Sequence, residues 1–141
     1  MIKAEQILTL VKPFSEEGKI LIRTEAQINE NIGDFVYLTN NNQLIACAGL
    51  KDCKEDNMGE IYSLAVSKKA QKTGLSLKLL EKIMFKAKAK KFSKVFALTK
   101  HSTDWFIKHG FIQMNIIDLP QKHQALFNQE RNSSIFFKNV N

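Results

Sequence analysis

The stretch Leu64-Ala65-Val66-Ser67-Lys68-Lys69-Ala70-Gln71-Lys72-Thr73-Gly74-Leu75-Ser76-Leu77-Lys78-Leu79-Leu80 changes its period midway. An apolar run stops at Val66, a polar turn follows, and from Gly74 apolar residues recur at helical spacing. A strand that passes through a loop into a helix aims unpaired backbone N–H groups at one point, with the positive end of the helix dipole behind them. Such a point suits a diphosphate. Gly74 is free to adopt φ > 0, and the small Ser76 allows close approach. No Gly-Lys-Ser/Thr follows, and the glycines and ribose-binding acid of a dinucleotide turn are absent. On spacing alone, a glycine before a helix is more often a plain turn.

Outward from this turn, Glu60 to Val66 reads as a strand after a polar loop ending in Gly59, and Gly74 to Lys90 as a helix. Leu77, Leu80, Ile83, Met84 and Ala87 form that helix's apolar face. Upstream, Phe35–Thr39 and Leu44–Leu50 are apolar runs joined by Asn40-Asn41-Asn42-Gln43, a hairpin pattern. Ile2–Val11 predicts a helix closed before Pro13. Thr24 to Ile32 predicts a second helix, begun by an N-cap residue and ended at Gly33. Downstream come a strand at Lys94–Leu98, a short helix at Thr103–Lys108 stopped by Gly110, and a strand start at Phe111–Met114. A helical opening at Leu119-Pro120 and a last strand at Ser134–Lys138 complete the chain. The order describes one mixed α/β domain over residues 1–141, largely antiparallel at its start, with one strand–helix–strand crossover.

Composition narrows the function classes. With 44% hydrophobic and 25% charged residues the chain reads as a soluble globular domain. It has no apolar run long enough to span a membrane. The start MIKAEQILTL lacks a small-residue cleavage site, which makes the cytoplasm the expected compartment. A formal charge of +7 favours anionic partners. The lysines are dispersed, however, and the densest group (Lys86, Lys88, Lys90, Lys91) suits a solvated helix end; with no nucleic-acid motif present, no nucleic-acid partner is expected. Cys47 and Cys53 lack a second pair of ligands and are read as reduced thiols; no metal is expected.

Gln71-x-x-Gly74-x-Ser76 after a strand resembles motif A of the GNAT acetyltransferases, in which the pattern cradles the pyrophosphate of acetyl-CoA; serine at the last position is a mild departure. Further segments are similar, in order and spacing, to the acetyltransferase domain of bacterial N-acetylglutamate synthases. They are Gly18-x-Ile20-Leu21-x-Arg23, Gly59-Glu60-Ile61, Leu64-Ala65-Val66, Phe96-Ala97-Leu98-Thr99, Trp105-Phe106-x-x-x-Gly110-Phe111, Leu119-Pro120 and Arg131-Asn132-Ser133. The likeness runs from about Leu10 to Lys138.

The resemblance implies a GNAT fold and the roles of individual residues. Acetyl-CoA is the implied co-substrate, held by Leu64, Ala65, Val66, Gln71, Lys72, Thr73, Gly74, Leu75 and Ser76, with Trp105 and Phe106 against its pantetheine. Glu60 is the implied base that frees the acceptor amine of its proton, directly or through water. Backbone N–H groups around Ser63 to Val66 are expected to hold the thioester carbonyl. Thr99 stands where the family usually has a serine near the departing sulfur. Leu21, Arg23, Ser63, Arg131 and Ser133 match the glutamate-binding positions. A dicarboxylate calls for cationic, bidentate partners, and the only two arginines among 21 basic residues fall on those positions. Without the resemblance, Glu60 reads more often as a salt-bridged or solvated strand-end carboxylate than as a base. Thr99 is then a strand-end threonine, the arginines are surface charges, and Trp105–Phe106 is a core aromatic pair.

Three departures from the family pattern stand out. The synthases usually carry a kinase-like domain in front, and this chain of 141 residues is expected to lack it. The chain starts within the first helix, so the customary first strand is expected to be missing. The edge at Phe35–Thr39 is then open, and a homodimer is the expected consequence. Ser63 occupies a position often held by cysteine. The leading expectation is acetyl transfer from acetyl-CoA to the α-amine of L-glutamate, which the resemblance makes the first step of arginine biosynthesis. The alternatives are a GNAT enzyme for another amino acid or small amine, and a catalytically weak acyl-CoA-binding or regulatory subunit.

Overall fold

The computed structural model describes residues 2–18, 20, 23–71, 74–100, 102–126 and 134–140. Helices α1 (Ala4–Glu16) and α2 (Glu25–Glu30) precede strands β1 (Phe35–Asn40), β2 (Gln43–Asp52) and β3 (Met58–Val66). There follow α3 (Leu75–Ala89), β4 (Lys94–Thr99), α4 (Thr103–Lys108), β5 (Ile112–Met114), α5 (Gln121–Leu126) and β6 (Ser134–Asn139). The sheet has the order β1-β2-β3-β4-β6-β5. β1 and β2 are antiparallel, β3 and β4 parallel, and β6 runs antiparallel to both β4 and β5. This is the mixed, mostly antiparallel sheet with flanking helices that the residue pattern predicts. Among the described residues β1 stands at one end of the strand order, and Lys82 Nζ donates to the Tyr37 carbonyl at 3.0 Å. Two compact units divide the chain, one of Met1–Leu50 with Ser63–Ile83, the other of Lys51–Tyr62 with Met84–Asn141.

In the first unit, α1 and α2 pack on each other through buried residues such as Ile7, Val11 and Ile28. The expected stop of α1 before Pro13 is corrected: the helix runs through Pro13 to Glu16. Proline removes the hydrogen bond to the carbonyl of Thr9, but both residues are exposed, so water can serve that carbonyl. The helix closes instead at Gly18, whose φ is +76°. Thr24 starts α2 as expected. Its hydroxyl accepts from the Gln27 N–H at 3.1 Å while Gln27 Oε1 accepts from the Thr24 N–H at 2.8 Å, a reciprocal cap. The helix ends at Glu30 rather than near Gly33, which lies in a following 3-10 turn (Ile32–Asp34). At the β1–β2 turn Asn41 and Asn42 take φ of 52° and 64°, the two left-handed residues that match the twist of the flanking strands.

α3 buries Leu79, Leu80, Ile83 and Ala87, whereas Leu77, expected on the apolar face, is 50% exposed. Leu77 lies about 100° around the helix from the centre of the packed stripe, which falls near Ile83 and Ala87.

In the second unit, β3 begins at Met58 rather than Glu60, because Gly59 pairs with Val95 inside the parallel ladder instead of ending a loop. Cys53, Met58, Phe96, Leu119 and Ile135 form the apolar cluster. Phe106 of α4 stacks on Phe136 at 6.3 Å and meets Phe111 edge-on at 4.9 Å. Gly110 ends α4 with φ +85°. A Cβ there would sit 2.8 Å from Lys138 Nζ, which donates to the His109 carbonyl at 3.1 Å.

This packing sets two measurable outcomes. Asn42→Gly should raise the melting temperature slightly, and Asn42→Val should destabilise by about 1–2 kcal/mol, because a β-branched residue is strained at positive φ; equal melting temperatures would contradict the turn. The His109 pKa is held below 6.5 by burial, then by the Lys108 and Lys138 cations. The unfolded chain therefore takes up the proton first as pH falls. This contribution is present above about 6.5 and is lost below it. Melting curves across that range should fall less steeply for His109→Gln than for the wild type.

Candidate functional site

Within the first unit the end of β3 and the turn after it are braced by backbone bonds. The Ser67 N–H donates to the Ile45 carbonyl at 2.8 Å, and the Ala70 and Gln71 N–H groups donate to the Ser67 carbonyl at 2.9 and 3.1 Å. Gln71 turns its side chain back, donating from Nε2 to the Val66 carbonyl at 3.0 Å. Ala65 is buried, with Leu64 and Val66 half-buried. Gly74 has φ +80°, and among the described residues, its chain neighbours aside, no atom lies within 4 Å of where a Cβ would stand; α3 begins at the next residue. Leu75 and Ser76 are half-buried, and the first turn of α3 holds no acidic residue. A helix start normally favours a carboxylate there; its absence, beside open space at Gly74, fits an anionic group. Lys72 and Thr73 lie outside the described residues.

Ser63 lies within β3 at φ +50°, a conformation that costs a non-glycine residue on the order of 1–3 kcal/mol. Two contacts hold it. The Cys47 thiol donates to the Ser63 carbonyl, with sulfur and oxygen 3.6 Å apart. Arg23 Nη1 donates to Ser63 Oγ at 3.2 Å. Burial pushes the Cys47 thiol up to about 12, so it stays protonated and able to donate. Arg23 and Ser63, both assigned to acceptor binding from the sequence, are thus brought together. Leu21, Arg131 and Ser133 lie outside the described residues. The sequence marks Cys47 only as a reduced thiol, since nothing in its neighbourhood along the chain signals a contact sixteen positions away.

In the second unit Glu60 is half-buried and pairs with Phe96 in the parallel ladder. Its carboxylate is felt at Cys53, whose thiol is pushed up to about 12 by burial first and by Glu60 next. Thr99 ends β4 buried, and its hydroxyl accepts from the Ser102 N–H at 2.9 Å. A hydroxyl that accepts keeps its own proton to donate. Trp105 meets Phe106 edge-on at 4.9 Å and lies 4.5 Å from the His109 ring. Its buried indole N–H and the buried Ser67 hydroxyl have no partner among the described residues. Among those residues no group of three or more His, Cys, Asp or Glu converges as a metal site would require, and no helix is long and apolar enough to cross a membrane.

Comparison with known proteins adds to this geometry. The profile of the acetyltransferase (GNAT) family matches residues 2–111. The amino-acid acetyltransferase of Shewanella oneidensis is 35% identical over 129 residues, covering 92% of this chain and 29% of that protein. The amino-acid acetyltransferase of Escherichia coli K12 is 32% identical over 134 residues, covering 95% and 30%. N-acetylglutamate synthase from Neisseria gonorrhoeae, complexed with coenzyme A and N-acetyl-glutamate, superposes with a TM-score of 0.92 at 33% identity. That match covers 97% of this chain and 32% of that one. The chain therefore spans less than a third of the length of these relatives. With the strand, turn and helix of motif A in place and the family profile spanning most of its length, the chain belongs to the GNAT family of acetyltransferases.

Proposed function

We propose that residues 1–141 act as one acetyltransferase domain that moves the acetyl group of acetyl-CoA to the α-amine of L-glutamate, the reaction that opens arginine biosynthesis. The observation that carries the acceptor reading is the Arg23 guanidinium bonded to Ser63 on the strand that also bears Glu60. The likeness to a synthase complexed with coenzyme A and N-acetyl-glutamate supports it.

Acetyl-CoA supplies an electrophilic thioester carbonyl and a thiolate leaving group. Its diphosphate is assigned to the backbone of Gln71–Ser76, next to the start of α3, whose first turn carries no acidic residue. Leu64, Ala65 and Val66 are assigned to the pantetheine arm and the acyl oxygen, with Trp105 and Phe106 as an aromatic wall. An α-ammonium has no lone pair, so Glu60 removes its proton before the nitrogen can form the new bond. N–H groups of the β3 end take the negative charge that develops on the carbonyl oxygen. Thr99, its oxygen already accepting from Ser102, gives its proton toward the departing sulfur. Arg23 and Arg131, with Leu21, Ser63 and Ser133, hold the two carboxylates of the acceptor.

Thiol release with acetyl-CoA across a panel of amino acids tests the reading. Glutamate should exceed aspartate and glutamine, and Glu60→Gln should lower kcat about 100-fold or more with little change in the KM for acetyl-CoA. Activity on a different amine, or none on glutamate, would overturn the acceptor assignment. Ser76→Asp separates cofactor binding from folding. Adding a carboxylate to the first turn of α3 should stabilise the free protein by about 0.3–1 kcal/mol while raising the acetyl-CoA KM roughly tenfold. A variant that melts higher and binds acetyl-CoA as before would remove the diphosphate from that helix start.

A further inference from the structure

Arg23 is fixed from both ends. Its backbone runs directly into Thr24, which the reciprocal bonds with Gln27 lock as the start of α2. Its guanidinium donates to Ser63 Oγ. Ser63 offers that oxygen from a backbone at φ +50°, away from the extended conformation of a regular strand. The kink has its own brace: the fully buried Cys47 on β2 gives its S–H to the Ser63 carbonyl. A guanidinium carries five N–H donors. The bond to serine helps set its plane, and a guanidinium so oriented is suited to meet a carboxylate bidentately.

We infer that Cys47 and Ser63 are positioning residues for acceptor recognition: the thiol holds the kink, and the kinked serine holds Arg23 at the angle at which an acceptor carboxylate meets it. The inference rests on the reading of Arg23 as an acceptor-binding residue. It concerns affinity for the acceptor rather than the chemical step, because neither Cys47 nor Ser63 Oγ exchanges a proton or electron pair with the reacting groups. A guanidinium already oriented in the free protein gives up less rotational freedom when the acceptor binds. Aspartate, one methylene shorter, should suffer from such a fixed geometry more than glutamate does. Loosening Arg23 should therefore narrow the preference between the two.

The competing account is that Cys47 only fills space. Steady-state kinetics and melting curves on the full chain distinguish the two for Arg23→Ala, Ser63→Ala, Cys47→Ala and Cys47→Ser. The glutamate KM should rise about fivefold in Ser63→Ala and by a smaller factor in Cys47→Ala. Both should show a reduced glutamate-to-aspartate ratio, with the acetyl-CoA KM changing much less. Cys47→Ser, which restores a donor to the Ser63 carbonyl, should recover the wild-type glutamate KM even if it melts lower. Equal glutamate KM values for Cys47→Ala and Cys47→Ser, or values that track melting temperature alone, would overturn the role of Cys47. An unchanged glutamate KM in Ser63→Ala would overturn the whole inference, and that variant carries the test should Cys47→Ala not fold. Arg23→Ala separates this failure from that of the parent reading. If it leaves the glutamate KM unchanged, the acceptor assignment itself falls and the inference with it. If it raises the KM while Ser63→Ala does not, the inference alone falls.

Discussion

The organising constraint is the left-handed residue within β3. From Met58 to Ile61 the strand is laddered to Lys94–Ala97 of β4. Ser63 then takes a left-handed backbone, and a short extended run carries the chain on to Val66 and the turn before α3. A strand that stayed regular would keep its amide and carbonyl groups in the ladder and its side chains in strict alternation. Ser63 departs from that regular backbone while remaining within the strand Met58–Val66. Such a conformation persists only where neighbours over-determine it, and here a buried thiol and a guanidinium do so from two sides.

Much of the fold was legible because local chemistry and period agreed. Thr24 with Gln27 three residues on is a self-satisfying helix start, and Asn41-Asn42 between two apolar runs is a turn that tolerates φ > 0. Gly110 ends α4 where its left-handed φ is needed. The misses share a cause, which is that tertiary context overrode a local signal. Pro13 reads as a stop, yet on an exposed helical stripe its lost bond is cheap. Gly59 reads as punctuation, yet it is buried opposite Val95. Leu77 lies one turn before Leu80 at the edge of the apolar stripe on the α3 wheel, and only packing leaves it exposed.

The site was legible in a different way. Resemblance pointed to Glu60, Thr99, Arg23 and Ser63 without any geometry. The structure adds that Arg23 and Ser63 touch and that Thr99 has an oxygen already engaged and a proton to give. The left-handed backbone of Ser63 could not have been read from the residue type, since serine has no special tolerance for positive φ. The same holds for Cys47, whose contact depends on which β2 residue stands across from the kink.

The central claim is that the turn before α3 grips a diphosphate while Arg23, seated on the Ser63 kink, grips an acidic amino acid. A crystal structure of this chain with coenzyme A and N-acetylglutamate tests it most directly. Phosphate oxygens are expected on the backbone amides of Gly74 to Ser76, and a product carboxylate on the Arg23 guanidinium with the Ser63 contact kept. A product held away from Arg23, or phosphates that avoid the start of α3, would contradict it.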